Sequence, residues 1–516
     1  MKLDLLLTSD VHGYLVPTNY VQPDYDAPFG LERAATGLKK LQNASRYHLT
    51  FDDGDYLEGS PLSYYLAKIA QQSAPHRLDQ AFNSIHYDYG IVGNHEFNYG
   101  QRYLHNSIHE SHRQFLCANV IDNQGHHPFG KPYIIRKVGP LKIAILGFTT
   151  QGTTKWEDPQ NLKGLHFISV VKSAQKYVPQ LKKRADLVII AYHGGFECNK
   201  QGKPTENLKE GENESYRLLK EVPGIDALLT GHQHRVIADH LFGVPIIQVG
   251  HRGQYIGRIT LKINPQKQVT GSQARLYPTQ KYQPDPRMVK IVRPLQEKVD
   301  NWLDQPLARI RGSLTYHDAA EARMHKCSFV EFIQKMQMAI MGTDLSAASI
   351  FNNEAHGFEN PITMRNIMTN YVFPNQLSKS VITGRDLRAA MEKSAEYFTY
   401  HHGQITVSHA FRFPKPLDYC YDMFEGVDYL INVAKPLGHR IEHLTYHGKP
   451  LRDDQKLTIA LNQFRAVGGG HFPMFNRHQI VKTTPQVMDQ LIAGYLKKHP
   501  VIQATNNHNF KVVYQK

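Results

Sequence analysis

Five apolar runs, each closing on glycine together with aspartate, asparagine or histidine, constrain this chain more than any other feature. Residues 3–8 lead into Ser9-Asp10-Val11-His12-Gly13, residues 47–51 into Asp52-Asp53-Gly54-Asp55, and residues 89–92 into Gly93-Asn94-His95-Glu96. Residues 185–192 lead into His193-Gly194-Gly195, and residues 225–230 into Gly231-His232-Gln233-His234. Short apolar runs bounded by turn residues read as buried strands. Solvated polar residues placed at random would decorate both ends of such strands. Collected at one end, they mark the sheet edge where layered α/β proteins place their sites.

The donor chemistry sharpens this expectation. Asp10 and His12 lie two residues apart, and in extended chain such side chains point the same way, so a carboxylate and an imidazole are expected to converge. Asp55, after the permissive Gly54, is the candidate carboxylate for bridging two metals, while Asp52 and Asp53 are acids that could instead cap the turn. Gly93 is expected to turn the chain sharply. It delivers Asn94 as a neutral oxygen ligand and His95, which can give or take a proton near neutral pH. His251, among the glycines that follow the apolar run 244–249, reads as structural. Asp10, His12, Asp55, Asn94, His193, His232 and His234 together exceed the four donors of one tetrahedral zinc. They suit two divalent cations sharing a carboxylate, an arrangement used in phosphoester hydrolysis. Mn, Zn, Fe and Co all fit such mixed donors.

A chain of 516 residues is expected to form two or three domains. Its net charge of +14 favours anionic partners or simply keeps it soluble. The lysines form no single basic block, so a nucleotide rather than a nucleic acid polymer is the expected partner. The four cysteines, Cys117, Cys198, Cys327 and Cys420, form no C-x-x-C pair and are expected to be free thiols in a reducing compartment. No run reaches the roughly 18 apolar residues of a membrane span, and the opening apolar stretch is short and broken by Asp4. The expectation is a cytoplasmic protein without a membrane partner.

In this order, D-x-H, G-D, G-N-H-E, H-G and G-H-x-H resemble the calcineurin-like metallophosphoesterases, and more narrowly the two-domain 5'-nucleotidase superfamily. Gly54-Asp55-Tyr56-Leu57-Glu58-Gly59-Ser60-Pro61-Leu62, the asparagine at 98, and Asn119-Val120-Ile121-Asp122 look most like its bacterial 2',3'-cyclic-nucleotide 2'-phosphodiesterase/3'-nucleotidase branch. The resemblance implies a four-layer α/β/β/α metallophosphoesterase domain over residues 1–275, an interdomain helix within 276–304, and a mixed α+β 5'-nucleotidase C-terminal domain over 305–516. It implies that Asp10, His12, Asp55 and His234 hold one cation and that Asp55, Asn94, His193 and His232 hold the other. His95 would act on the phosphoryl group as stabiliser or acid. The 5'-nucleotidases orient that histidine with an aspartate three residues on. Asn98 stands there instead, an amide that can bond the ring but cannot stabilise an imidazolium as a carboxylate does.

In the second half, the resemblance makes Phe373 and Phe464 the aromatic pair that sandwiches the nucleobase, with Asn352 and Asn375 as further substrate contacts. Base stacking of this kind contributes roughly 1–3 kcal/mol. The run Phe351-Asn352-Asn353 lacks the arginine many 5'-nucleotidases carry there. Periodicity predicts helices over 287–303, with Pro294 kinking it or marking its start, over 328–341 and 384–398, and over 485–498 with a proline near its start. A strand is predicted over 456–461. The expected function is two-metal hydrolysis of nucleotide phosphoesters, chiefly 2',3'-cyclic nucleotides and 3'-nucleotides. A 5'-nucleotidase or nucleotide-sugar (UDP-sugar) hydrolase is the near alternative, and a non-enzymatic nucleic-acid-binding protein, suggested by charge, the remote one.

Overall fold

The computed structural model describes every residue except Asp24, Lys209, Glu210, Pro374, Pro414 and Lys415. The chain divides into two compact units, Met1–Val299 and Asp300–Lys516. Helix Pro286–Leu303 runs across that division, with Met288, Val292, Leu295, Val299 and Trp302 buried along one stripe. It starts at Pro286, where a missing N–H costs nothing, so Pro294 lies inside it rather than opening it.

The strands of the first unit are β1 (Lys2–Thr8), β2 (His48–Asp52), β3 (Tyr89–Ile91), β4 (Gln114–Leu116), β5 (Val120–Asp122), β6 (Tyr133–Val138), β7 (Leu141–Thr149), β8 (Leu165–Phe167), β9 (Leu187–His193), β10 (Ala227–Thr230), β11 (Val236–Leu241), β12 (Val244–Val249), β13 (Tyr255–Ile263) and β14 (Val269–Pro278). They form two six-stranded sheets, ordered β14-β13-β1-β2-β3-β4 and β11-β12-β10-β9-β7-β6, plus the small pair β5 and β8. The four strands β1 to β4 run parallel, as do β7, β9, β10 and β12.

The two-residue period of a strand sorts side chains into layers. Leu3, Leu5, Leu7, Ile143, Ile145, Leu187, Ile189 and Leu229 share one core between the sheets. Ala144, Leu146, Phe148, Val188, Ile190 and Tyr192 face outward into a second core with Val171, Ala174 and Val178 of helix Val170–Lys182. Helix Leu31–Asn43 lies on the other sheet, on β1 and β13. The result is an α/β/β/α sandwich in which both sheets present the carboxyl ends of parallel strands. Asn119 helps join the sheets: its Nδ2 donates to the carbonyls of Thr149 (2.7 Å) and Ile168 (3.0 Å), and its Oδ1 accepts from Thr149 N (2.9 Å).

The second unit is mixed α+β. A five-stranded sheet orders Met423–Glu425, Leu345–Ala348, Lys456–Asn462, Gln376–Thr383 and Ile480–Val487. Helix Ser328–Met341 forms as its periodicity predicts. The helix expected over 384–398 ends at Ala395, because Phe398 opens a hairpin. The terminal helix starts only at Met488: Pro485 belongs to the strand Ile480–Val487, which ends the sheet as an edge strand, where a missing N–H is tolerated. The four cysteines are free.

Beneath β2, Arg113 is a buried cation. Its guanidinium pairs with Asp52, lies 3.9 Å from Asp79, and covers the rings of Tyr56 (4.1 Å), Phe82 (4.5 Å) and Phe115 (4.9 Å). Removing it strands two buried carboxylates. Arg113→Met is expected to cost about 3–5 kcal/mol, read as a lower midpoint in chemical denaturation followed by circular dichroism. An unchanged midpoint would contradict this assignment.

Candidate metal centre

All seven candidate ligands sit at or just beyond the carboxyl ends of β1, β2, β3, β9 and β10. Five of them, Asp10 (φ 53°), His12 (φ 51°), Asp55 (φ 54°), His232 (φ 67°) and His234 (φ 56°), occupy the left-handed region that non-glycine residues normally avoid. Asp10 and His12 therefore do not converge through extended chain, as their spacing suggested. A turn after Thr8 brings them together instead. Backbone strain of this kind collects where surrounding structure over-determines a site.

The glycines serve close approach. Gly54 turns at φ 84°, and a Cβ there would come 2.6 Å from Gly93 N. Gly93, expected to supply a sharp turn, is needed for space, since a Cβ would stand 2.3 Å from Asp55 Oδ1. Glu96 locks these two tips together. Its Oε2 accepts from Gly93 N (2.6 Å) and Asp55 N (2.8 Å), and its Oε1 from Tyr56 N (2.7 Å) and Leu57 N (3.1 Å).

Asp55 lies at the centre. Oδ1 accepts from the backbone N–H of His95 at 2.8 Å. Oδ2 is 3.0 Å from His193 Nε2 and 3.9 Å from His12 Nε2, so one oxygen faces both histidine groups. On one side, His12 Nε2 is 3.0 Å from His234 Nε2, which is 3.4 Å from Asp10 Oδ1. On the other, Asp55, His193 and His232 bring ligand atoms within 4.8 Å of one another. Asn94 Oδ1 is buried with no hydrogen-bond partner. An orphaned acceptor, converging ring nitrogens and a carboxylate shared between them fit two divalent cations.

In three of the rings the second nitrogen is fixed by an acceptor, as in metal-binding imidazoles generally. His12 Nδ1 donates to the Glu58 carbonyl (2.8 Å) and His193 Nδ1 to the Asp53 carbonyl (2.5 Å). His232 Nε2 lies 3.0 Å from Glu212 Oε1, leaving Nδ1 free, with the Trp156 ring stacked on its face. His234 stacks on His251, the ring centroids 4.7 Å apart. Burial, only partly opposed by the Asp55 carboxylate, pushes His12 down to about 4, so its lone pair is available at neutral pH. Despite burial, the His193 ring holds the Asp55 carboxyl well below the usual range. Asp52 and Asp53 are not turn caps. Asp52 pairs with Arg113, and burial pushes the Asp53 carboxyl, whose oxygens lack hydrogen-bond partners, well above its ordinary value.

His95 stands beside this cluster, its ring 5.0 Å from that of His12. Asn98 Oδ1 bonds its Nδ1 at 2.7 Å, as expected, and Glu58 Oε2 lies 2.9 Å from the same nitrogen. Burial works against the imidazolium, but Asp55 and the Glu58 hydrogen bond raise His95 to about 10; a bound cation would act against that rise.

Sequence reasoning missed Glu58, Glu96, Glu157 and Glu212. Glu58 and Glu96 lay inside the quoted motifs without a role. Glu157 and Glu212 sit in loops far from any motif, and only the fold brings them in.

In the second unit, Phe373 is 36% exposed, with the rings of Phe351 (5.7 Å) and Tyr419 (5.5 Å) beside it. Phe464 is half-buried, and no ring contact joins it to Phe373 among the described residues. Asn352 is half-buried, its amide donating to Thr369 O (2.8 Å) and accepting from Glu354 N (2.9 Å). Asn375 is half-buried next to Phe373, whose carbonyl accepts its N–H at 2.8 Å.

Comparison with known proteins agrees with this geometry. Residues 3–236 match the calcineurin-like phosphoesterase family, and residues 307–477 match the 5'-nucleotidase C-terminal domain. The chain is 27% identical to the 2',3'-cyclic-nucleotide 2'-phosphodiesterase/3'-nucleotidase of Haemophilus influenzae, over 99% of this chain and 86% of that one. It is also 27% identical to the Salmonella typhimurium protein of the same name, over 91% and 82%. The crystal structure of the "Putative 5'-Nucleotidase" of Staphylococcus aureus, in complex with alpha-ketoglutarate, superposes with a TM-score of 0.91 at 32% identity, covering 99% of this chain and 100% of that one.

Glu212 offers a direct test of how the rings are held. Glu212→Gln is expected to weaken one cation ten- to hundred-fold, read by chelator competition with metal analysis. Retention of both cations under the same challenge would refute the role.

Proposed function

This chain belongs to the calcineurin-like phosphoesterases that carry a 5'-nucleotidase C-terminal domain, and we propose that it hydrolyses 2',3'-cyclic nucleotides and 3'-nucleotides. The observation that carries the reading is the single Asp55 oxygen facing two groups of nitrogen donors. Asp10, His12, Asp55 and His234 would hold one divalent cation, and Asp55, Asn94, His193 and His232 the other. Such cations, when bound, lower the pKa of water to supply a nucleophile and neutralise charge on the phosphoryl group.

The chain's own residues do the rest. Asp55, tethered through Oδ1 by the His95 amide, keeps Oδ2 fixed between the two groups. His95 has Nδ1 engaged by Asn98 and Glu58, which leaves Nε2 to hydrogen-bond a phosphoryl oxygen or the departing ribose oxygen. In the second unit, Phe373 and Phe464 offer apolar faces to the nucleobase, whose stacking tolerates any base. The named Haemophilus and Salmonella relatives support the cyclic and 3' preference. The Staphylococcus protein, by its name, supports 5'-nucleotide hydrolysis as the second reading.

Product analysis of the Mn-loaded protein separates the two. Turnover of 2',3'-cyclic AMP and 3'-AMP is expected, and turnover of 5'-AMP alone would overturn the proposal. Metal analysis should find about two divalent ions per chain. Asp55→Asn should abolish every activity, and residual turnover at the wild-type rate would refute the bridging role.

A further inference from the structure

His95 meets two acceptors at one nitrogen. Asn98 Oδ1 lies 2.7 Å from Nδ1 and Glu58 Oε2 lies 2.9 Å from it. Two acceptors require that Nδ1 carry the proton. The orientation of the Asn98 amide is itself fixed. Its Nδ2 donates at 2.6 Å to Glu157 Oε2, and a carboxylate can only accept, so Oδ1 must turn toward the ring. Glu157 is held in turn by Asn161 Nδ2 (2.8 Å) and Asp158 N (2.9 Å), both on Oε1. Asn98 thus contributes direction without charge.

The charge comes from Glu58. Its side chain is 9% exposed, at the tip that follows Asp55, and its backbone carbonyl holds His12 Nδ1 at 2.8 Å. Gly59 makes this possible: it turns at φ 130°, and a Cβ there would stand 2.8 Å from His12 Cβ. One residue therefore orients a candidate metal ligand with its main chain and His95 with its side chain.

We propose that Glu58 is the positioning carboxylate of His95, completing with Asn98 and Glu157 a relay in which an amide aims the imidazole and a displaced acid supplies its counter-charge. The inference rests on the proposed phosphoesterase reading and adds a residue to it. With Nδ1 already carrying a proton, Nε2 can donate to a phosphoryl oxygen only from the imidazolium, so the ring is positively charged while it makes that bond. A carboxylate on Nδ1 stabilises that charge, and an amide does not.

The test uses full-length, Mn-loaded protein with 3'-AMP, 2',3'-cyclic AMP and p-nitrophenyl phosphate. Glu58→Gln keeps an acceptor of the same shape and removes the charge. It should lower kcat about tenfold or more, with KM within about twofold and the metal content of wild type. Adding Asn98→Asp together with Glu157→Gln to Glu58→Gln returns a carboxylate to Nδ1 from the other side while keeping a donor opposite its second oxygen, and most of the lost kcat should return. Wild-type kcat in Glu58→Gln, loss of metal together with kcat, or no recovery in the triple variant would each overturn the proposal. The substrate reading fails separately, if wild type turns over p-nitrophenyl phosphate and no nucleotide. Glu58 is then scored on p-nitrophenyl phosphate by the same criteria.

Discussion

The Asp55 carboxylate, held from three directions, is the constraint on which the first unit depends. Its Oδ1 is tied to the His95 amide, its Oδ2 is aimed between His193 and His12, and its own N–H is gripped by Glu96. A bridging carboxylate is useful only if it cannot rotate onto one partner. Glu96 prevents this by accepting four backbone N–H groups from two different strand tips. Such a buried carboxylate is tolerable because each oxygen is doubly satisfied. A Cβ at residue 93 would collide with both acids, so the geometry leaves room only for glycine there.

The sheets explain why these tips meet. Asp10, Asp55 and Asn94 follow neighbouring parallel strands of one sheet, while His193, His232 and His234 end or follow neighbouring parallel strands of the other. Parallel strands place their carboxyl ends along one edge, and the shared core of Leu3, Leu5, Leu7, Ile143, Ile145 and Ile189 sets the two edges face to face. Packing across the sandwich therefore sets the distance between donors. The Asn119 side chain ties Thr149 and Ile168 near that same edge.

This logic also separates what was legible in the sequence from what was not. Strand cores and the clustering of the candidate ligands were legible because both depend on local pattern: an apolar run, then glycine, then a donor. Helix Ser328–Met341 was legible for the same reason. The left-handed backbone at Asp10 and His12 was not, because no propensity favours it and only tertiary contacts enforce it. Pro485 misled because a proline near the start of a helix and a proline on an edge strand look alike until the sheet is assembled. Glu157 and Glu212 carry no local signal at all, being acids in polar loops that the fold delivers to Asn98 and His232. The bonds of the Asn352 amide to Thr369 and Glu354 were likewise invisible in the sequence.

The composition of the donor set bears on which substrates such a site accepts. Of the seven candidate ligands only Asp10 and Asp55 are acids; the others are neutral as ligands. Asp53 lies close by, its carboxyl pushed well above its ordinary value by burial. Among the direct ligands, two carboxylates set against two divalent cations leave positive charge that an incoming phosphoryl group can neutralise, while Glu58, Glu96 and Glu212 stand behind the ligands. A donor set richer in acids would bind the cations more tightly and repel the substrate. The chain's net charge of +14 acts in the same direction at longer range, favouring the approach of anions before any contact forms. The choice of asparagine and histidine over further acids is therefore a statement about the substrate as much as about the metals.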